Sequence, residues 1–151
     1  MKLEKASKKE LIALFEKILA NSNEPCFIVN SIYKVVHTNS SFNNFCQKND
    51  LEIEFFDFGN ALGCKYLTKD NHACGNNYYC ELCSVRNAIN SCISKGGNYS
   101  SGDFVRDFEI ADETIFRHII FKAFYFEIEK APHVAIIINN SETDILGSEI
   151  E

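Results

Sequence analysis

The chain has 151 residues, 46% of them hydrophobic and 24% charged, which suits one folded domain with an ordinary core. Its formal net charge of −6 speaks against nucleic acid as a partner, because phosphate neutralisation needs a basic surface. No run approaches the roughly 18 consecutive apolar residues of a membrane span, and no cleavable leader is visible, so the expectation is a cytoplasmic protein without a membrane partner.

Residues 3–21 read as an amphipathic helix, with Leu11, Leu14, Phe15, Ile18 and Leu19 on one stripe and Lys and Glu opposite. Lys2, Lys5, Lys8 and Lys9 alternate with acids, as a solvated helix face does. Asn21 to Pro25 stops this helix. Cys26 to Asn30 is short, apolar and bounded by turn residues, a buried strand, and Ile32 to His37 reads as its hairpin partner. Thr38-Asn-Ser-Ser41 is a start signal for a short helix carrying Phe42, Phe45 and Cys46, and residues 51–63 suggest further short helical turns.

A cysteine segment spans 64–83. Directly after it, Val85, Ala88, Ile89, Cys92 and Ile93 recur at helical spacing, which predicts a helix over 84–95 ended by Gly96-Gly97. Strands are expected at 104–110, 115–128 and 134–138, with turns at 111–113 and around Pro132. The tail 142–151 is polar and acidic. Strands grouped into hairpins around a block of helices define an α+β domain with an antiparallel sheet and helices packed on one face.

Seven cysteines in a reducing compartment are read as metal ligands or redox groups before disulfides. Cys64, Cys74, Cys80 and Cys83 follow the pattern C-x9-C-x5-C-x2-C, and soft thiolates in such a group select zinc, copper(I) or an iron–sulfur cluster. Structural zinc sites commonly use two C-x2-C knuckles. One knuckle plus two single cysteines is closer to iron–sulfur ligation, with zinc as the alternative and a metal-free segment the bland one. Cys83 at a helix start profits from the unpaired N–H groups there. Arg86, one turn on, either offsets thiolate charge or is simply solvated. Gly75 beside Cys74 either lets backbone N–H groups approach a sulfur or makes an ordinary turn. Cys26, Cys46 and Cys92 fall among apolar residues and read as small core hydrophobes. His72, between the cysteines, either replaces a ligand or is an ordinary loop residue; His37, His118 and His133 have no partner at metal spacing, a haem role for one of them being the alternative. No P-loop, G-x-G-x-x-G, H-E-x-x-H or nucleophile elbow is present, so no enzyme is expected.

The order of elements, the opening Pro25-Cys-Phe-Ile-Val-Asn-Ser-Ile-Tyr-Lys-Val-Val-His-Thr-Asn39 hairpin, the closing strands and Ile136-Ile-Ile-Asn-Asn-Ser-Glu142 together resemble a PAS domain over about residues 22–141. Gly63-Cys64, Cys74-Gly75 and Cys80-x-x-Cys83 followed by Arg86 and Ala88-Ile89 resemble a cysteine-bearing PAS subgroup. The resemblance implies a five-stranded sheet, a leading cap helix over 1–21 through which such domains dimerise, and the cysteine segment in the region where other PAS domains cradle haem or flavin. No kinase, cyclase or DNA-binding segment follows the last strand, so a homodimer signalling to a separate signalling or redox partner is expected. The expected function is a sensory module with an iron–sulfur centre on Cys64, Cys74, Cys80 and Cys83 that answers to redox state or oxygen. The alternatives are a zinc-braced interaction module, an electron-transfer protein, and a PAS pocket for a small ligand.

Overall fold

Apolar side chains build the sheet, in continuous buried runs in β1 and β5, and a polar residue ends each of the first two strands. The computed structural model describes residues 23–64, 83–95 and 99–139; the expected leading helix over 3–21 and the tail over 142–151 lie outside the described residues. β1 is Cys26–Asn30 and β2 is Val35–Thr38. The second strand begins later than the expected Ile32, because the Asn30 side-chain oxygen accepts the N–H groups of both Ile32 (3.1 Å) and Lys34 (3.0 Å). That side chain makes a turn of residues that their β propensity alone would put in a strand. Asn39 caps α1, Ser40–Cys46: its Oδ1 accepts from Phe42 N at 2.9 Å and from Cys26 N at 3.0 Å, tying the helix to β1. A 3-10 turn, Asp50–Glu52, carries an Asn49/Glu52 capping box, and α2 is Phe58–Leu62.

α3 is Ser84–Lys95, as the apolar periodicity predicts. β3 (Tyr99–Ile110), β4 (Glu113–Ile128) and β5 (Ala131–Ile138) form the closing meander. Both of its hairpins turn on two residues at positive φ, Ala111-Asp112 and Glu129-Lys130, the conformation that matches the twist of the flanking strands. Turns this tight leave more residues for the strands than expected. Pro132, expected in a turn, stands opposite Glu127 one residue inside β5, where a missing N–H is tolerated near a strand's start.

The sheet order is β2-β1-β5-β4-β3, every neighbouring pair antiparallel. This is the expected five-stranded α+β architecture. One face carries Phe27, Val29, Phe108, Ile119, Phe121, Ala123, Val134, Ile136 and Ile138, packed with Phe42 and Phe45 of α1, Phe58 and Leu62 of α2, and Val85, Ile89 and Cys92 of α3. Burying such side chains contributes about 1.5–3 kcal/mol each. The other face holds a smaller apolar cluster of Ile28, Phe126, Ile128 and Ala135 with Val36 against it. No helix among the described residues is long and apolar enough to cross a membrane.

Candidate metal centre beside strand β3

Cys64 owes its position to the glycine before it. α2 ends on Gly63 at φ +84°, with its N–H shared between the carbonyls of Gly59 and Asn60, a left-handed stop that favours glycine. The Gly63 carbonyl then accepts the Glu109 N–H at 2.7 Å, and Cys64 bridges antiparallel to Phe108. A Cβ on Gly63 would lie 2.4 Å from the Glu109 carbonyl oxygen. Gly63-Cys64 therefore lies along the outer edge of β3, and Cys64 is buried there. Arg106 Nη1 donates to its Sγ at 3.7 Å.

Cys83 stands at the start of α3. Its carbonyl accepts the Asn87 N–H at 3.0 Å, the first bond of the helix, and its side chain is buried in the main core. The next residue, Ser84, donates its hydroxyl to the Asp103 carbonyl at 3.0 Å, which fastens the helix start to β3. The segment 64–83 thus leaves and returns beside the same strand. The first N–H groups of an α-helix have no intrahelical partner and lie at the positive end of its dipole, an arrangement that favours an anionic group at the helix start.

Of the four expected ligands, Cys64 and Cys83 are described; Cys74, Cys80 and the neighbouring Gly75 lie outside the described residues, as does His72. Among the described residues no three metal-ligating side chains form a group. Arg86, expected near the thiolates or in solvent, lies with its guanidinium carbon 4.0 Å from the Tyr33 ring centroid and 5.5 Å from that of Phe58. Tyr33 in turn donates its hydroxyl to Asn90 of α3. These contacts join α3 to the β1–β2 turn.

Arg106, which donates to the Cys64 sulfur, is a charged neighbour of the candidate site that sequence reasoning missed. It stands directly opposite Arg117 in the β3–β4 register, and residues so paired share one face of a sheet. That face is the core face. Arg117 is only 6% exposed; its Nη1 donates to the Phe45 carbonyl at 2.9 Å and its guanidinium lies 3.8 Å over the Phe45 ring. A signal was available: strand alternation puts Arg106 in phase with Phe108, and Arg117 in phase with Ile119 and Phe121.

The remaining described cysteines are core residues, as expected. Burial pushes the thiols of Cys26 and Cys46 up to about 12, and that of Cys92 upward too; Cys92 donates to the Ala123 carbonyl at 3.7 Å. They stay protonated at neutral pH and bind no metal in that form. His118 pairs with Asp103 at 2.7 Å on the sheet's other face, and the Nδ1 of His133 lies 2.8 Å from the Ala131 carbonyl.

No family profile matches the sequence, and no curated protein is similar to it. Solved structures are. The chain resembles the PAS domain of BvgS from Bordetella pertussis, with a TM-score of 0.56 at 11% identity over 93% of this chain and 90% of that one. It resembles the PAS domain of an HTR-like protein from Haloarcula marismortui, with a TM-score of 0.53 at 15% identity over 91% and 99%. The PAS domain of nitrogen regulation protein NR(II) from Vibrio parahaemolyticus gives 0.52 at 10% identity over 83% and 96%. An antiparallel sheet in this order, covered on one face by helices, defines the α+β class. Within that class, the chain has the PAS fold.

Proposed function

We propose that this chain is a PAS-type sensory module in which Cys64, Cys74, Cys80 and Cys83 hold an iron–sulfur centre responsive to redox state or oxygen. One observation carries the reading. Cys64 is buried on the edge of β3 under an arginine N–H, and Cys83 is buried at the start of α3, next to the Ser84 that bonds to β3. Buried thiolates need such partners, since an uncompensated charge is costly inside a protein. Burial raises the thiols of Cys26, Cys46 and Cys92 above the ordinary thiol range. The donor set is all sulfur, which suits an iron–sulfur cluster and also zinc.

A bound cluster would supply one-electron chemistry and sensitivity to oxygen. The chain's own part is to turn the state of residues 64–83 into movement. Cys64 is fixed to β3 by backbone bonds, whereas Cys83 is the first residue of a lever. α3 is held at its start by the Ser84–Asp103 bond and farther along by Arg86 and Asn90 against Tyr33. Release of the ligand segment frees the start of α3, and the Tyr33 contacts carry that shift to the β1–β2 turn at the opposite edge of the sheet. To act as a switch, the two arrangements must differ in their affinity for an output. Homodimer formation and a separate output partner belong to the same proposal, supported by the apolar stripe over 11–19 and by exposed Val105 and Phe124 on the sheet face away from the helices.

Absorption of anaerobically purified protein tests the reading. A brown protein absorbing broadly near about 400 nm supports a cluster; colourless protein with one zinc per chain supports the bracing alternative. Cys80→Ala is expected to abolish the centre and Cys92→Ala to retain it. Equal metal content in both variants would overturn the ligand assignment.

A further inference from the structure

The chain between α1 and α2 holds apolar side chains in water beside the β2 edge of the sheet. Leu51 is 87% exposed, Phe55 65% and Phe56 48%. Single exposed apolar residues are ordinary, but three so close along one loop are the kind of patch that marks an interaction surface. The loop is firmly placed. Ile53 and Phe58 are buried in the main core. The Phe55 N–H donates to the Val35 carbonyl at 2.8 Å, and the Phe56 carbonyl accepts the Val35 N–H at 2.9 Å. Phe58 N–H donates to the Tyr33 carbonyl at 3.1 Å, and Lys34 pairs with Asp57 at 2.7 Å. Phe55 itself stands at φ +64°, a left-handed conformation unfavourable to an aromatic residue. The fold thus strains a residue whose ring it leaves largely in solvent, and packing within the chain does not account for that choice.

Charge selects the occupant. Residues 50–57 include Asp50, Glu52, Glu54 and Asp57 and no Lys or Arg. Asp57 is engaged with Lys34, whereas Asp50, Glu52 and Glu54 are exposed and alternate with the apolar residues. Lys48 turns its ammonium to the Asn60 carbonyl. Such a rim repels nucleic acid and anionic lipid and attracts a basic segment. Aromatic anchors inside a polar rim are the usual make-up of a protein–protein surface. Strand addition at this end of β2 is blocked, because Phe55 and Phe56 already bond to Val35 and the left-handed Phe55 interrupts an extended course. A partner must therefore dock through side chains, as an amphipathic helix does. We propose that Leu51, Phe55 and Phe56, rimmed by Asp50, Glu52 and Glu54, form a docking surface for a basic amphipathic helix of another protein. This gives the output partner of the proposed function a face, and it requires no metal at the cysteines.

The test is fluorescence anisotropy of a labelled Lys/Leu peptide with Leu at i, i+3, i+4 and i+7 spacing, against the same Leu frame carrying Glu for Lys. The Lys/Leu peptide should bind, more weakly as salt rises, and the Glu/Leu peptide should not. Leu51→Ser and Phe55→Asn should each weaken binding about tenfold. Val105→Ser, which removes an exposed apolar side chain from β3 at the far edge of the sheet, should leave it unchanged. Glu52→Gln with Glu54→Gln should weaken binding and flatten its salt dependence, and Glu113→Gln with Glu129→Gln, exposed in the β3–β4–β5 meander, should not. Asn tolerates the left-handed conformation, so Phe55→Asn should melt at or above the Tm of the unsubstituted protein, and the exposed Leu51→Ser should melt with it. A marked fall in Tm in both variants would make these packing residues and overturn the inference. So would equal binding of the two peptides, binding of neither, or full binding by Leu51→Ser and Phe55→Asn. Sedimentation in which these variants break up a homodimer would overturn it in favour of a second copy of the chain. Partition onto phosphatidylcholine vesicles that they abolish would overturn it in favour of a membrane. The cysteine centre is tested by metal content alone, so either idea can fail without the other.

Discussion

Replacing Gly63 by alanine tests whether the backbone places Cys64 as described. Gly63 lies at φ +84°, where a side chain costs about 1–2 kcal/mol. The added methyl would stand 2.4 Å from the Glu109 carbonyl oxygen, a separation no Cβ tolerates, and that oxygen belongs to a strand and cannot swing aside. Relief requires Gly63 to pull away from β3, which gives up the 2.7 Å bond from Glu109 N–H, worth about 1 kcal/mol. The sum is about 2–3 kcal/mol, or a fall of about 4–12 °C in Tm for a domain of this size. Because Cys64 follows directly, its sulfur leaves Arg106 together with the backbone. Thermal unfolding by circular dichroism and metal content after anaerobic loading read the two effects on one preparation. A Gly63→Ala protein that melts with the unsubstituted one and loads fully would refute the placement of Cys64 on the edge of β3.

Other outcomes follow from the same contacts. Alkylation of native, metal-free protein at pH 8 should spare Cys26, Cys46 and Cys92, with labelling at those sites appearing only on unfolding, as mass mapping would show. The raised thiols of Cys26 and Cys46 also predict alkaline instability. Unfolded thiols ionise near 9.0 while the folded ones hold their protons to about 12, so the unfolded state binds fewer protons in that window and stability falls as pH rises through it. Each thiol contributes a slope of about 1.4 kcal/mol per pH unit, and Cys26→Ala should flatten urea-derived stability against pH by that amount above pH 9. Tyr33→Phe, which removes the hydroxyl bonded to Asn90, should cost about 0.5–1.5 kcal/mol in urea unfolding. It should also speed amide exchange in the second half of α3.

Much of the fold was legible because apolar spacing reports burial directly. α3 was read to its ends, since Val85, Ala88, Ile89 and Cys92 mark one face and Gly96-Gly97 marks the stop. The errors arose where a side chain or a turn overrode propensity. Asn30 takes the N–H groups of Ile32 and Lys34 and delays β2, and hairpins without glycine at Ala111-Asp112 and Glu129-Lys130 lengthen the strands around them. At the site, the spacing of the four cysteines suggested ligands; Cys64 and Cys83 are buried, and Cys74 and Cys80 lie outside the described residues. The arginines were not foreseen. Charged residues inside a strand pass for solvent-facing ones unless their phase with Phe108 and Ile119 is counted. Arg86, which the sequence allowed either beside the thiolates or in solvent, has its guanidinium over the rings of Tyr33 and Phe58.

Iron and acid-labile sulfide counted per chain in anaerobically prepared protein test the central claim most directly. The account predicts both elements in comparable amounts, lost together in Cys64→Ala and in Cys83→Ala. Protein that binds neither, or that ties these thiols into disulfides while keeping its fold, would contradict it.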